Sequence, residues 1–208
     1  FRRTQNWIGS AGSTLATATY VPPPVDEMKL ALSDLEKFIH TSTDIPTLAR
    51  AAMIHYQFEA IHPFLDGNGR VGRVWMALLF VEWKILPQPL LNLSVYFERY
   101  RQEYYDHLLA VSQRGDWEAW LRFFLRGVNA QSQDSAARME RLKTIRARYQ
   151  PIVDADKNSN RMGAVMDFLF GRPIFSAKLL AESMEMPFKT ARQYIEKLAQ
   201  AGIVREVT

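Results

Sequence analysis

The 208-residue sequence predicts an all-α protein: a helical body with a short β-hairpin projecting from it, followed by a small helix-turn-helix or winged-helix domain. Two observations carry this. Apolar residues recur at spacings of three and four through most of the first 150 positions. After the polar run 154–160 the pattern restarts as three short helical segments separated by Gly and Pro signals.

Residues 9–24 are the exception to the helical pattern. They are rich in Gly, Ser, Thr and Ala, contain the β-favouring run Thr17 to Val21, and end in Pro22-Pro23-Pro24. Taken alone they read either as a hairpin or as a plain surface loop. From Val25 to Ile39, Met28, Leu32, Leu35 and Ile39 share one face of an amphipathic helix. The next helix starts at about Pro46, a residue suited to a first turn, and reaches Ile61. A third begins near Asn68, is expected to send Val71, Val74, Trp75, Leu78 and Leu79 into a core, and stops before Pro87. Ser94 is the expected N-cap of a helix reaching about Gln113, and Asp116 that of a long helix from Trp117 to about Tyr149. This gives a body over residues 1–150, a linker over 151–160, and a second domain over 161–208. In that domain, helices at about 161–170, 176–183 and 187–201 precede a short strand from Gly202 to Val207, the beginning of a wing.

Composition narrows the function. With 48% hydrophobic and 23% charged residues the chain is that of an ordinary globular protein. Cysteine is absent, which excludes disulfides, a thiolate nucleophile and a thiolate-rich zinc site. The stretch Val74 to Trp83 is interrupted by Glu82 and too short to span a bilayer, and Phe1-Arg2-Arg3 leads into no apolar signal segment. The expected location is the cytoplasm. The net charge of +4 is mild; Arg138, Arg141, Lys143, Arg146 and Arg148 recur along one helix, either as its solvated face or as a surface for nucleic acid or acidic partners.

The chemistry concentrates at Ile61-His62-Pro63-Phe64-Leu65-Asp66-Gly67-Asn68-Gly69-Arg70-Val71-Gly72-Arg73, where a loop becomes a helix. Gly67 and Gly69 let the backbone turn tightly and approach a ligand. The first N–H groups of the helix lack internal partners and lie at its positive end, a natural place for phosphate. Arg70 and Arg73, three apart, add fixed positive charge. Asp66 supplies a hard oxygen ligand suited to Mg²⁺, and His62 can take a proton near neutral pH. Together they suit attack by a hydroxyl on a metal-bound nucleotide phosphate.

This string resembles the Fic family motif H-x-F-x-[DE]-G-N-G-R-x-x-R and matches every fixed position. The resemblance extends over most of residues 1–150, including Gln5-Asn6-Trp7-Ile8-Gly9, the proline triplet, and Arg101 to Tyr105. It implies a helical fold and transfer of AMP from Mg·ATP to a Ser, Thr or Tyr hydroxyl of a target protein or of the enzyme itself, releasing pyrophosphate. On that basis His62 is the expected general base and Asp66 the Mg²⁺ ligand. Asp66, Gly67, Asn68, Gly69, Arg70, Val71, Gly72 and Arg73 form the expected ATP site, with the Asn68 side chain helping to hold the phosphates and Phe64 anchoring the loop. Tyr104 and Tyr105 match tyrosines of the nucleoside pocket, although core aromatics would look the same. Ser112 stands where the family often has Asn.

The hairpin corresponds to the family's flap, which pairs with an extended target segment; Thr17, Ala18, Thr19 and Tyr20 are the expected contact residues. Many members carry an inhibitory helix with the pattern [ST]-x-x-x-E-[GN], whose Glu pairs with the second motif arginine. Ser94 with Glu98 is followed by Arg99 and does not fit; any such helix is expected upstream of Phe1. In the C-terminal domain, Lys189, Thr190, Arg192, Gln193 and Lys197 could meet DNA, but residues 151–208 hold eight Lys/Arg against seven Asp/Glu, so homodimerisation or protein docking is the favoured use for it. Two further readings remain open: a DNA-binding regulator that senses nucleotide, and an enzyme transferring another phosphate-bearing group. Gly69 weighs against the latter, because phosphorylating members of the family have Lys there.

Overall fold

The computed structural model describes residues 1–41 and 43–207. Among them the regular structure is helical: α1 (Val25–His40), α2 (Thr47–Ile61), α3 (Asn68–Glu82), α4 (Leu93–Arg99), α5 (Arg101–Arg114), α6 (Trp117–Asp154), α7 (Ser159–Gly171), α8 (Ala177–Ser183) and α9 (Phe188–Gln200). Two compact units result, Phe1–Ala137 and Arg138–Thr208, with the boundary inside α6.

In the first unit α2 is the central element, packed against α1, α3 and α5. Its apolar residues occur all around, as burial on several sides requires: Ala51, Ala52, Ile54, Phe58 and Ile61 are all in the core. α1 follows the three prolines, places Asp26 and Glu27 at its positive end and Lys37 and His40 at its negative end, and buries Met28 and Leu35. The start of α6 contributes Trp120, Phe123 and Phe124, which pack with Phe97 of α4 and Tyr104 of α5 around the buried ring of His55. The Trp120 indole N–H donates to the Ala52 carbonyl at 2.9 Å, so burial of this ring leaves no polar atom unpaired.

Several expected details differ. Val71, Val74 and Leu78 of α3 are exposed, and the helix instead turns Gly72, Met76, Leu79 and Phe80 inward. Gly72 sets this rotation: a Cβ there would lie 2.7 Å from Glu59 Oε1 and 3.1 Å from the Phe58 ring, so α2 and α3 approach along the side-chain-free face. The single helix expected after Ser94 is broken at Tyr100 into α4 and α5. Its cap is Asn92, whose side chain accepts from the Ser94 N–H, which releases the Ser94 hydroxyl for another partner. The expected hairpin contracts to one antiparallel bridge between Ile8 and Tyr20. Leu15–Thr17 forms a 3₁₀ turn closed by Thr14 and Thr17, and this takes up the start of the β-favouring run.

In the second unit α7, α8 and α9 enclose Met162, Val165, Met166, Leu180, Ala191 and Leu198. Asn158 and Ser176 cap α7 and α8 through their side chains. The expected strand Gly202–Val207 does not form among the described residues. Ile203 and Val204 pack against this core instead of pairing with a second strand. Lys197 forms an ion pair with Asp156 at 2.6 Å, and Arg192 one with Glu196 at 3.5 Å.

Candidate active site

The corner between α2 and α3 is built by side chains that bond to backbone. α2 ends when His62 adopts a left-handed conformation (φ 49°, ψ 61°), an uncommon state for a residue with a Cβ. Its N–H still reaches the Phe58 carbonyl at 3.1 Å. Buried Arg2 holds the loop from outside: its Nε donates to the His62 carbonyl (3.1 Å), its backbone N–H to the Pro63 carbonyl (2.8 Å), and its Nη2 to the Pro23 carbonyl. The Asn6 amide donates to the Phe64 carbonyl at 3.2 Å. From inside, Asn68 accepts from the Phe64 N–H and donates to the Phe64 carbonyl, both at 2.8 Å. Gly67, at φ 84°, then admits the chain to α3, where Val71 makes the first bond back, to the Gly67 carbonyl. The N–H groups that open α3 point out of the helix end, as at any helix start.

Beside this corner lies a cavity of about 540 Å³, a size suited to a small organic ligand. It brings together His62, Gly69, Arg73, Tyr104 and Tyr105 with Thr19 and Tyr20. Asp66, Gly67, Asn68, Arg70, Val71 and Gly72, and Thr17 and Ala18 of the flap, are not among its lining residues. Asp66 and Arg70 are exposed and paired with each other at 2.9 Å. The side chain of Asn68 is committed to the loop, so its backbone N–H is what remains for a phosphate. Tyr105 is exposed at the rim. Tyr104 is buried, with its hydroxyl 2.9 Å from His55 Nε2. Ser112 also lines the cavity and shares a hydrogen bond with the Tyr56 hydroxyl at 3.0 Å.

The flap is fastened to the site. Ile8 and Tyr20 exchange backbone hydrogen bonds, and the Tyr20 hydroxyl donates to the Ala60 carbonyl at 2.9 Å. Burial pushes that phenol up to about 12, keeping it protonated at any physiological pH.

Burial also lowers the pKa of His62, so the imidazole is neutral near pH 7. Its Nδ1 lies 3.3 Å from the Glu59 carbonyl. Donation by Nδ1–H to that oxygen leaves Nε2 as the ring's proton acceptor. Behind the cavity wall, burial first and then the Arg73 charge bring His55 down to about 3, so it is a neutral core residue. Glu59 is pushed up to about 7, chiefly by burial, with the Arg73 charge opposing.

Sequence reasoning missed four contributors. Arg2 looked like one of two basic residues at a polar chain start, and nothing local marks it as a loop clamp. Glu59 and His55 sat inside an apolar helical pattern where a charged residue with no visible partner was itself the signal. Ser94, read as a helix cap, accepts a hydrogen bond from Arg73 Nε at 3.2 Å.

The fold and this corner define the class: an all-helical protein with a glycine-rich histidine loop at a helix start and a cavity beneath a flap. Residues 1–80 match the Fic/DOC family. Two relatives are proteins named "Protein adenylyltransferase Fic". That of Drosophila yakuba is 31% identical over 126 residues, 59% of this chain and 22% of the relative. That of Culex quinquefasciatus is 30% identical over 125 residues, again 59% of this chain and 22% of the relative. The chain thus spans less than a quarter of these relatives. A crystal structure of a Fic family protein from Desulfovibrio desulfuricans G20 shares the fold, with a TM-score of 0.57 at 21% identity over 97% of this chain and 55% of the other. Over residues 1–80 the chain is thus similar to the Fic/DOC family, and over 125 to 126 residues to proteins named as adenylyltransferases.

Proposed function

We propose that the protein transfers AMP from Mg·ATP to a hydroxyl group of a target protein or of itself. The observation that carries this reading is the single cavity shared by His62, Gly69 and Arg73 beneath a flap held at Ile8 and Tyr20.

In this reading His62 Nε2 takes the proton from the incoming hydroxyl, whose oxygen forms a bond to the α-phosphorus as the bond to the β-phosphate bridge breaks and pyrophosphate leaves. The neutral state of His62 and the anchored Nδ1 suit it to that step. The N–H groups at the start of α3, together with Arg73, stabilise charge developing on the phosphates, and Tyr104 and Tyr105 flank the nucleoside. Arg70 reaches the phosphates once it leaves Asp66, an exchange that costs little between exposed side chains. Asp66 suits Mg²⁺: it is an exposed carboxylate, and Mg²⁺ characteristically takes one or two carboxylates with water and phosphate oxygens as the rest. Among the described residues no cluster of three or more His, Cys, Asp or Glu offers a complete metal cage, which agrees with a metal that arrives with its nucleotide. When bound, Mg²⁺ neutralises phosphate charge. The backbone of the flap next to the Ile8 and Tyr20 bridge lies at the cavity mouth, where an extended target segment can pair with it.

We assign the cytoplasm as its place of action. Among the described residues no helix is long and apolar enough to cross a membrane. The C-terminal unit is assigned to protein docking or self-association ahead of DNA binding, because residues 151–208 hold eight Lys/Arg against seven Asp/Glu, too even a balance for a strong electrostatic footprint. The decisive experiment is incubation with α-labelled ATP, Mg²⁺ and cell lysate beside a His62→Ala control. Label on protein that depends on His62 is expected; equal label with both proteins would refute the assignment.

A further inference from the structure

Glu59 is a buried acid that the chemistry above does not use. It projects from α2 beneath the start of α3 and lines the same cavity as Arg73. Its Oε1 is shut off from solvent and has no hydrogen-bond partner. A Cβ built on Gly69 would stand 2.8 Å from Arg73 Nη1 and 3.8 Å from Glu59 Oε1, so the guanidinium and the carboxyl converge on the same glycine. The titratable and charged groups facing Glu59 are His55 of α2, with Nε2 at 4.0 Å from Oε1, Arg73 of α3, and Tyr104 of α5. His55 and Tyr104 are neutral, so Arg73 is the only one that carries charge near neutral pH.

We infer that Glu59 is a positioning residue for Arg73, a buried counter-charge that holds the guanidinium at Gly69 until a polyphosphate anion replaces it, and that takes up one proton when this happens. The inference rests on the reading of the cavity as a nucleotide site. Three physical points support it. An unpaired carboxylate cannot stay ionised in a buried place once its cation turns to another anion, so it must gain a proton. The carboxyl already stands near its midpoint at neutral pH, pushed up mainly by burial, so the proton is readily gained. The approach of phosphate charge moves it further in the same direction. The sign follows: below pH 7 Glu59 is protonated before ligand arrives and Arg73 is free to bind it. Above pH 7 the carboxylate competes, and affinity for polyphosphate falls.

Mg·ATP titrated calorimetrically into the wild type, Glu59→Gln, Arg73→Ala and the double variant at pH 6 and pH 8 tests this. ATP and His62 titrate alike in all four proteins, so differences between them isolate Glu59. Glu59→Gln is expected to bind Mg·ATP about 3- to 10-fold more tightly than the wild type at pH 8 and about equally at pH 6, where one unit of pKa corresponds to tenfold. In the Arg73→Ala background the same substitution should change nothing. Equal or weaker binding by a folded Glu59→Gln at pH 8 overturns the inference, as does an unchanged gain without Arg73. If Glu59→Gln does not fold, proton uptake by the wild type, read from binding heats in two buffers of different ionisation enthalpy at pH 8, replaces it. Uptake that Arg73→Ala abolishes supports the proposal, and uptake unchanged in Arg73→Ala, or absent, defeats it. A wild type that binds no Mg·ATP at either pH would remove the nucleotide reading along with it, whereas normal binding that Arg73→Ala weakens and Glu59→Gln leaves alone would remove this inference only.

Discussion

The Nδ1 atom of His62 lies 3.3 Å from the carbonyl oxygen of Glu59, one helical turn earlier. That contact orients the ring by main chain, without a carboxylate partner. Alone it would favour the charged ring, but burial is the larger effect and the Arg2 charge adds to it, so the pKa is lowered. The neutral form prevails above a pKa lower than the usual histidine value of about 6.5. The acid limb of kcat/KM for self-labelling should therefore fall below pH 6.5, with activity held as pH rises toward 8 at saturating nucleotide. His62→Ala should lower kcat by roughly 10²- to 10⁴-fold with little change in nucleotide affinity. A pH profile from initial rates at several ATP concentrations checks both.

Ser94→Ala should disturb Arg73 without disturbing the fold. The hydroxyl accepts from Arg73 Nε at 3.2 Å, while the cap of α4 is made by Asn92 and survives. We expect KM for Mg·ATP to rise about 3-fold or more, in keeping with the loss of a hydrogen bond to a charged group, and the melting temperature to stay within a degree or two. Ser94→Thr should restore the KM.

Gly72→Ala tests packing under the site. The added methyl would stand 2.7 Å from Glu59 Oε1 and 3.1 Å from the Phe58 ring, in a core where α2 and α3 are both fixed. A loss of about 1–3 kcal/mol is expected, the usual cost of overpacking. Chemical denaturation measures it, with a parallel fall in activity as α3 shifts relative to His62.

Tyr20→Phe removes only the hydroxyl that ties the flap to the Ala60 carbonyl. The expected loss of stability is about 1 kcal/mol. Labelling of a target protein should suffer more than Mg·ATP binding, because the flap lies at the cavity mouth and the phosphate end of the cavity is untouched. Comparing target labelling with nucleotide affinity in one preparation separates the two.

What the sequence made legible follows the range of the forces involved. Helix positions are set locally by periodicity, prolines and caps, and α1, α2, α3, α7, α8 and α9 fall where those signals put them. The loop from His62 to Arg73 was legible because its residue types are rare in combination. The rotation of α3 was not, since Val71, Val74 and Leu78 look as apolar as Met76 and Leu79; only the fit of Gly72 against α2 decides between them. Contacts of long sequence separation were equally silent: Arg2 with His62, Arg73 with Ser94, and Glu59 with the start of α3. Each depends on where segments distant in sequence come to lie. The flap and the terminal strand overestimated β structure, because β-favouring residues form strands only when a partner strand is available.

The two hydrogen bonds between Asn68 and the backbone of Phe64 give an irregular loop the solvent protection of a helix. A side-chain amide here stands in for the missing peptide of a next turn, satisfying one donor and one acceptor of the main chain at once. Exchange of the Phe64 amide with deuterated water should accordingly be slow, keeping pace with the helices on either side and not with the surface segments. The loop can thus hold its shape without any regular secondary structure to stiffen it.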